Sequence, residues 1–230
     1  LFCIDIHGFN ASVISPTSII NEEEIYNISS SNQNDNIICF KSKCKVICNV
    51  KESCYGININ ASTSTIFDLE CSNQASCQEI IILKPAANFN NIQCNDELAC
   101  SNAQFYLLYP SDLSSSPQVN ITCDPPSSTN TYNPYSSPGC GEAVINVENA
   151  NFTLNCGHNS CYEVSLNAYK SMNGITVNAN GQDGIRMDMK CPSTAECIIN
   201  CNGPKQPCDG LNVYIPDQMY EYLQINGNFK

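Results

Sequence analysis

CNVKESC at 48–54, CSNQASC at 71–77 and CNDELAC at 94–100 share one form: two cysteines five residues apart, each stretch beginning 23 residues after the last. Two longer stretches complete the unit, CFKSKCKVICNVKESC at 39–54 and CPSTAECIINCNGPKQPC at 191–208. They define four cysteine columns, of which most units fill only the third and fourth. The empty columns still keep count. Sixteen residues separate Cys54 from Cys71, and again Cys77 from Cys94, as the full unit requires. From Cys161 to Cys191 the step is 30, which leaves room for one unit without cysteine, with Ala179 and Gly184 standing in columns three and four. Third-column positions therefore run 48, 71, 94, 123, 156, 179, 201. The two long steps carry insertions at 110–118 (PSDLSSSPQ) and 124–139 (DPPSSTNTYNPYSSPG). A fixed period of this size is the mark of a solenoid, because one short unit cannot bury its apolar face alone.

The columns fill in couples, and couples present or absent together read as bonded together. The expected disulfides are Cys39–Cys44, Cys48–Cys54, Cys71–Cys77, Cys94–Cys100, Cys123–Cys140, Cys156–Cys161, Cys191–Cys197 and Cys201–Cys208. Bonds between neighbouring units are the alternative. Cys3 is left over, unpaired or bonded to another molecule. With only His7 and His158 and no C-x-x-C pair, the 17 cysteines do not read as zinc ligands. They imply an oxidising compartment. On the chain-entropy model, closing a seven-residue loop contributes about 2 kcal/mol.

Strands flank the cysteines. Before the third column, period-two alternation puts Leu69, Ile92, Ile121, Leu154 and Ile199 on the cysteine's face, with Asp68, Glu70, Gln93, Asn120 and Thr122 opposite. After the fourth column a second strand turns Ile57 and Ile59, Ile80 and Ile82, Val164 and Leu166, Met187 and Met189, Val213 and Ile215 inward. The fold expected is an all-β, right-handed parallel β-helix of eight or nine coils, the hand following from the crossover rule. Residues 39–230 form the helix; residues 1–38 fit the unit badly and read as an irregular first coil or docking arm. At ~4.8 Å per coil the rod is roughly 40 Å long. A β-sandwich would not keep a 23-residue register through a cysteine-free unit.

The net charge of −12 disfavours nucleic acid as a partner. No run of 18 apolar residues is present to span a membrane. The chain starts at Leu1, not Met, and reads as a processed chain or a fragment. Asn-x-Ser/Thr sequons at Asn10, Asn27, Asn60, Asn120 and Asn151 agree with passage through the secretory pathway to the extracellular space or cell surface. Asn60, Asn120 and Asn151 fall in outward sets. No cofactor is expected; calcium is the metal that would suit the acidity, at the oxygen-rich turns 21–24 and 180–184.

The four-cysteine units, above all CPSTAECIINCNGPKQPC, resemble cysteine-rich parallel β-helix repeats of large secreted or surface proteins of protists and algae, over about 39–215. The resemblance implies an extracellular structural role in a filament, flagellar hair or surface layer. Here the first two columns are mostly empty, and Lys84 and Asn90 stand in them at one unit. Both ends, LFCIDIHGF and MYEYLQINGNF, read as uncapped strands that invite head-to-tail stacking of copies, Leu1–Phe9 against the Met219–Phe229 end of the next. A glycan-binding or cell-adhesion module, with glycans or other surface proteins as partners, is the alternative. A polysaccharide-degrading enzyme is a further one, whose best carboxylate cluster is Glu163, Arg186 and Asp188 on successive coils. His158 has no partner residue in the pattern, and no residue is assigned a catalytic role. Non-reducing peptide mapping is expected to return the eight within-unit disulfides; Cys71 bonded to Cys48 or Cys94 would overturn the scheme.

Overall fold

The computed structural model describes residues 13–20, 22–30, 35–111, 115–124, 139–157, 160–181, 185–203, 207–216 and 220–227. Cys3, Asn10 and the Leu1–Phe9 segment lie outside the described residues, as do His158 and most of the 124–139 insertion.

The regular structure of the described chain is strand, apart from one short 3-10 turn: β1 (Val13–Ile14), β2 (Ser18–Ile20), β3 (Glu23–Ile28), β4 (Asn36–Ile38), β5 (Lys43–Cys48), β6 (Asn58–Asn60), β7 (Ile66–Cys71), β8 (Ile81–Lys84), β9 (Phe89–Cys94), β10 (Gln104–Leu108), β11 (Gln118–Cys123), β12 (Val144–Glu148), β13 (Asn151–Cys156), β14 (Tyr162–Asn167), β15 (Ile175–Ala179), β16 (Arg186–Lys190), β17 (Cys197–Cys201), β18 (Leu211–Tyr214) and β19 (Leu223–Gly227). Odd-numbered strands from β3 onward stack in one sheet, and even-numbered strands from β4 onward, with β1 at the edge, stack in the other. Each coil therefore visits both sheets once. This is a parallel β-helix of eight coils, β3–β4 through β17–β18, with β19 opening a ninth.

The cysteine columns are register columns. In the odd-strand sheet Ile28, Cys48, Cys71, Cys94, Cys123, Cys156, Ala179, Cys201 and Gly227 pair in succession. Two residues earlier, Tyr26, Val46, Leu69, Ile92, Ile121, Leu154, Val177 and Ile199 form an inward stack shielded from solvent. Ile37, Ile59, Ile82, Phe105, Ile145, Leu166 and Met189 do the same in the facing sheet. Each buried aliphatic side chain contributes ~1.5–3 kcal/mol relative to exposure. The two sheets meet on this thin core, so most coils bury only a few large side chains.

The third side of the coil is a turn, and it forms a ladder of its own. Eight disulfides close within units: Cys39–Cys44, Cys48–Cys54, Cys71–Cys77, Cys94–Cys100, Cys123–Cys140, Cys156–Cys161, Cys191–Cys197 and Cys201–Cys208. At the fourth column, backbone amides donate across coils: Cys54 to Ser76 (2.7 Å), Cys77 to Ala99 (2.7 Å), Cys100 to Gly139 (2.6 Å) and Cys140 to Ser160 (2.9 Å). The residue before each fourth-column cysteine here is small and buried: Ser53, Ser76, Ala99, Gly139 and Ser160. A larger side chain would push the stacked turns apart.

Left-handed backbone recurs two residues either side of this cysteine. Glu52, Ala75 and Leu98 adopt it before, at φ 54–58°, and Glu79, Asn102, Glu142 and Glu163 after, at φ 56–58°. Gly56 and Gly210 hold the same following position at φ 64° and 85°. A non-glycine residue costs about 1–2 kcal/mol there. The cost is met because the turn's amides find partners on the next coil only in this shape, as Gly56 N–H does on Gln78 (3.0 Å) and Glu79 N–H on Ser101 (2.9 Å).

The N-terminal end is more regular than its sequence suggests. Of the two readings of 1–38, an irregular coil or a docking arm, residues 23–38 form a coil: β3 pairs with β5 over six residues in parallel register, and β4 pairs with β6. The step from Ile28 to Cys48 is 20 residues and Ile28 replaces the cysteine, so a search for 23-residue cysteine spacing passes over this coil. The free edge of β3 is also not bare. β2 folds back on it antiparallel, pairing Ser18 with Ile25 and Ile20 with Glu23. At the other end Tyr220–Tyr222 forms a short 3-10 turn before β19, so only part of MYEYLQINGNF is strand.

Asn90 answers the open question of the coil that lacks first- and second-column cysteines. It shares a register column with Cys44 and Phe67 and is fully buried. Its side-chain oxygen accepts the Ala86 N–H (2.8 Å), and its Nδ2 donates to the Ala86 carbonyl (2.9 Å) and the Tyr109 hydroxyl (2.6 Å). It therefore pins by hydrogen bonds the loop that Cys39–Cys44 pins covalently one unit pair earlier. Burial pushes the Tyr109 hydroxyl pKa up, and burial with the nearby Glu24 carboxylate pushes Tyr26 up to about 12. Asn90→Ala is expected to cost about 1–3 kcal/mol by denaturant unfolding, since it strands buried polar groups. Asn91→Ala, one residue away on the outer side, is expected to stay within about 0.5 kcal/mol.

Candidate functional site

The outer faces of the two sheets carry the polar chemistry. Alternation along each strand sends every second side chain outward, and parallel register then aligns those side chains along the axis. On the odd-strand sheet this makes an amide ladder. Asn178 Nδ2 donates to Asn155 Oδ1 (2.8 Å), Asn200 to Asn178 (2.7 Å) and Asn226 to Asn200 (2.9 Å). Each rung points the same way, so the carbonyl oxygen of Asn226 stands at the open end of the run. Thr153 and Thr176 share a neighbouring outward column, while Thr122 aligns with Asn155.

The Glu163, Arg186 and Asp188 cluster does assemble, on the outer face of β14 and β16. Arg186 Nη1 donates to the Tyr162 hydroxyl (2.8 Å) and lies 3.4 Å from Glu163 Oε1, with its guanidinium carbon 5.5 Å from the Tyr162 ring centroid. The Tyr162 hydrogen bond first, then the Glu163 charge, raises the Arg186 pKa. Asp188 Oδ1 accepts from Asn212 Nδ2 (2.8 Å). Each member is engaged with a structural neighbour on this exposed face. Such an arrangement orients the strand ends and screens like charges; salt weakens it.

The oxygen-rich turn at 21–24 has a packing task. Glu24 is buried, and its carboxylate accepts the Phe40 N–H (2.6 Å) and the Lys41 N–H (3.3 Å), which fixes the turn entering β5. Asn21 and residues 182–184 of the second turn lie outside the described residues. Sulfurs of Cys48, Cys54 and Cys77 approach within 4.8 Å, as do those of Cys71, Cys94 and Cys100, and of Cys94, Cys123 and Cys140. All are oxidised in disulfides, so these groups record disulfide stacking and hold no thiolate for a metal.

A cleft that sequence reading did not single out lies beside the same sheet, where β14, β16 and β18 end. It encloses about 420 Å3 and is lined by Asn167, Lys190 and Tyr214, which are register partners on three successive coils, and by Tyr169, Lys170 and Ile215–Pro216 from the adjoining turns. The spacing from 167 to 190 to 214 follows the repeat, so the alignment was available to a column-by-column reading of outward residues.

Among the sequons, Asn27 is exposed on β3, and Asn60, Asn120 and Asn151 are half-buried and outward on β6, β11 and β13. The Asn60 side-chain oxygen accepts the Ser62 hydroxyl (2.8 Å) and N–H (3.2 Å), which leaves Nδ2 directed away from that turn.

Comparison of the chain with protein-family models, curated proteins and solved structures finds no match. The class it belongs to is therefore defined by its shape: a disulfide-stapled parallel β-solenoid. Intact glycopeptide mass spectrometry of material from a secreting host is expected to find N-glycans at Asn60, Asn120 and Asn151. Unmodified asparagine at all three would contradict their accessible outward placement.

Proposed function

We propose that the chain is a non-enzymatic structural module of the cell exterior, a glycoprotein whose coils associate end to end in a filament or fibrous layer. The observation that supports this reading is the uninterrupted parallel stack of eight coils, a form that grows by adding strands along its axis. Ile225 continues the inward stack of Val177 and Ile199, yet it is 43% exposed where Ile199 is 0%. Among the described residues β18 pairs with β16 and β19 with β17, so both sheets end here on a strand edge of the kind that accepts another strand. Tyr220 and Tyr222 stand exposed beside them. At the opposite end Val13, Ile19 and Ile20 are each more than half exposed on β1 and β2. Glycans on Asn60, Asn120 and Asn151 would project from the flanks and disfavour lateral association, leaving the ends as the adhesive surfaces. Eight disulfides suit an oxidising exterior. The enzyme reading draws less support, because Glu163 and Asp188 are committed to Arg186 and Asn212.

The antiparallel β2 hairpin shapes this assembly. A second copy meets β2 and β1 at the N-terminal end, not the edge of β3, so stacking joins two dissimilar surfaces and produces open-ended growth. Sedimentation velocity and electron microscopy over a range of concentrations are expected to show linear oligomers. Ile225→Asp and Ile20→Asp are each expected to return monomer without loss of β-sheet circular dichroism. A monodisperse monomer for the intact chain at the highest concentration would reject end-to-end association.

A further inference from the structure

We infer that the cleft at the ends of β14, β16 and β18 binds an anionic saccharide, a sugar unit bearing a carboxylate or a sulfate. This is independent of end-to-end association, since the cleft lies on the flank of the coil.

The chemistry of the lining is specific. The whole chain has ten basic residues against 22 acidic ones, yet two lysines on neighbouring turns, Lys170 and Lys190, face one cleft. Lys190 has no carboxylate within salt-bridge distance among the described residues, and the contact of Lys170 with Glu148 is long at 3.6 Å and exposed on the lysine side. A negatively charged ligand group thus meets one available ammonium and a second that can be shared. Tyr169 and Tyr214 are 51% and 57% exposed. Their rings offer apolar faces with polar tips, which suits the C–H face and hydroxyl edge of a pyranose. Asn167 donates to Asn146 (3.4 Å), and its side-chain oxygen remains an acceptor for a sugar hydroxyl. Ile215 and Pro216 complete the lining.

The wall is also held in place before any ligand arrives. Ala168 N–H bonds to the Lys190 carbonyl and Cys191 N–H to the Tyr214 carbonyl, both at 3.0 Å. Cys191, next to Lys190, is tied to Cys197. A preformed site loses less freedom on binding. The cleft is open and its lining mixes aromatic and aliphatic surface with two ammonium groups, which suits a saccharide; an acidic peptide would need a longer groove or a free strand edge. No sequon falls on the lining residues, so glycosylation leaves it clear.

Isothermal titration of the intact chain with trigalacturonate, a sulfated disaccharide, neutral galactotriose and a short polyglutamate peptide tests this. Binding of trigalacturonate or the sulfated sugar is expected, and which of the two binds identifies the anion. The neutral sugar is expected to bind at least tenfold more weakly. Lys190→Glu and Tyr214→Ala are each expected to lower affinity tenfold or more, with unchanged circular dichroism. Lys45→Glu, the same charge change on the opposite sheet, is expected to leave it within twofold. Failure of both anionic sugars to bind, equal binding of galactotriose or polyglutamate, or equal loss with Lys45→Glu would each overturn the inference. None of these readouts depends on the oligomeric state.

Discussion

The corner between the two sheets is the constraint on which the coil depends. The chain leaves an odd strand at the third-column cysteine, reverses, and enters the even strand just after the fourth. In the six such corners that are disulfide-closed, the Cα atoms of the bonded pair stand 5.7–5.8 Å apart, whether the second cysteine comes five or 17 positions after the first. A corner of constant width lets its backbone amides reach the carbonyls of the next corner, and this third ladder keeps the two sheets in step. The small residues ahead of the cysteine and the left-handed residues around it are what stacking such corners requires. The strained backbone at Glu52, Ala75 and Leu98 is then held by a covalent bond on one side and by intercoil hydrogen bonds on the other.

The same logic explains where the cysteines are absent. Ala179 stands in the third column between two bonded coils, and its neighbours in register are Cys156 and Cys201. The corners on either side of it are both disulfide-closed. Asn90 stands in the second column where a disulfide would need a partner in the first, and one amide makes both halves of a local loop with Ala86. Covalent and hydrogen-bonded closures are interchangeable in this architecture as long as the loop they close keeps its shape.

Much of this was readable from the residues alone. The repeat, the inward stacks from Val46 to Ile199 and the pairing of columns three and four all follow from counting, because register in a parallel solenoid is the period itself. The coil at 23–38 was not readable, since Ile28 gives no cysteine signal and its unit is three residues short. The β2 hairpin was missed for another reason. Nothing in SII at 18–20 distinguishes a strand that runs with its neighbour from one that runs against it. The left-handed corners were hidden because glutamate, alanine and leucine occupy positions where glycine would have announced them. Of the outer surface, the Glu163–Arg186 pair was legible from spacing, whereas the cleft needs two turns that repeat analysis does not place, those carrying Tyr169–Lys170 and Ile215–Pro216.

The Cys123–Cys140 corner has a consequence for how such a molecule can diversify. Its coil pairs without a register shift: β11 matches β9 and β13 residue for residue, and β12 matches β10 likewise. The bond holds its two cysteines as far apart as the other corners do although 16 residues lie between them, so the rod on either side does not depend on the length of that insertion. Their length and composition can drift, or be rewritten, while pitch and core stay as they are. A lineage built on this plan can change what it displays along its flank one corner at a time, with the scaffold indifferent to the message.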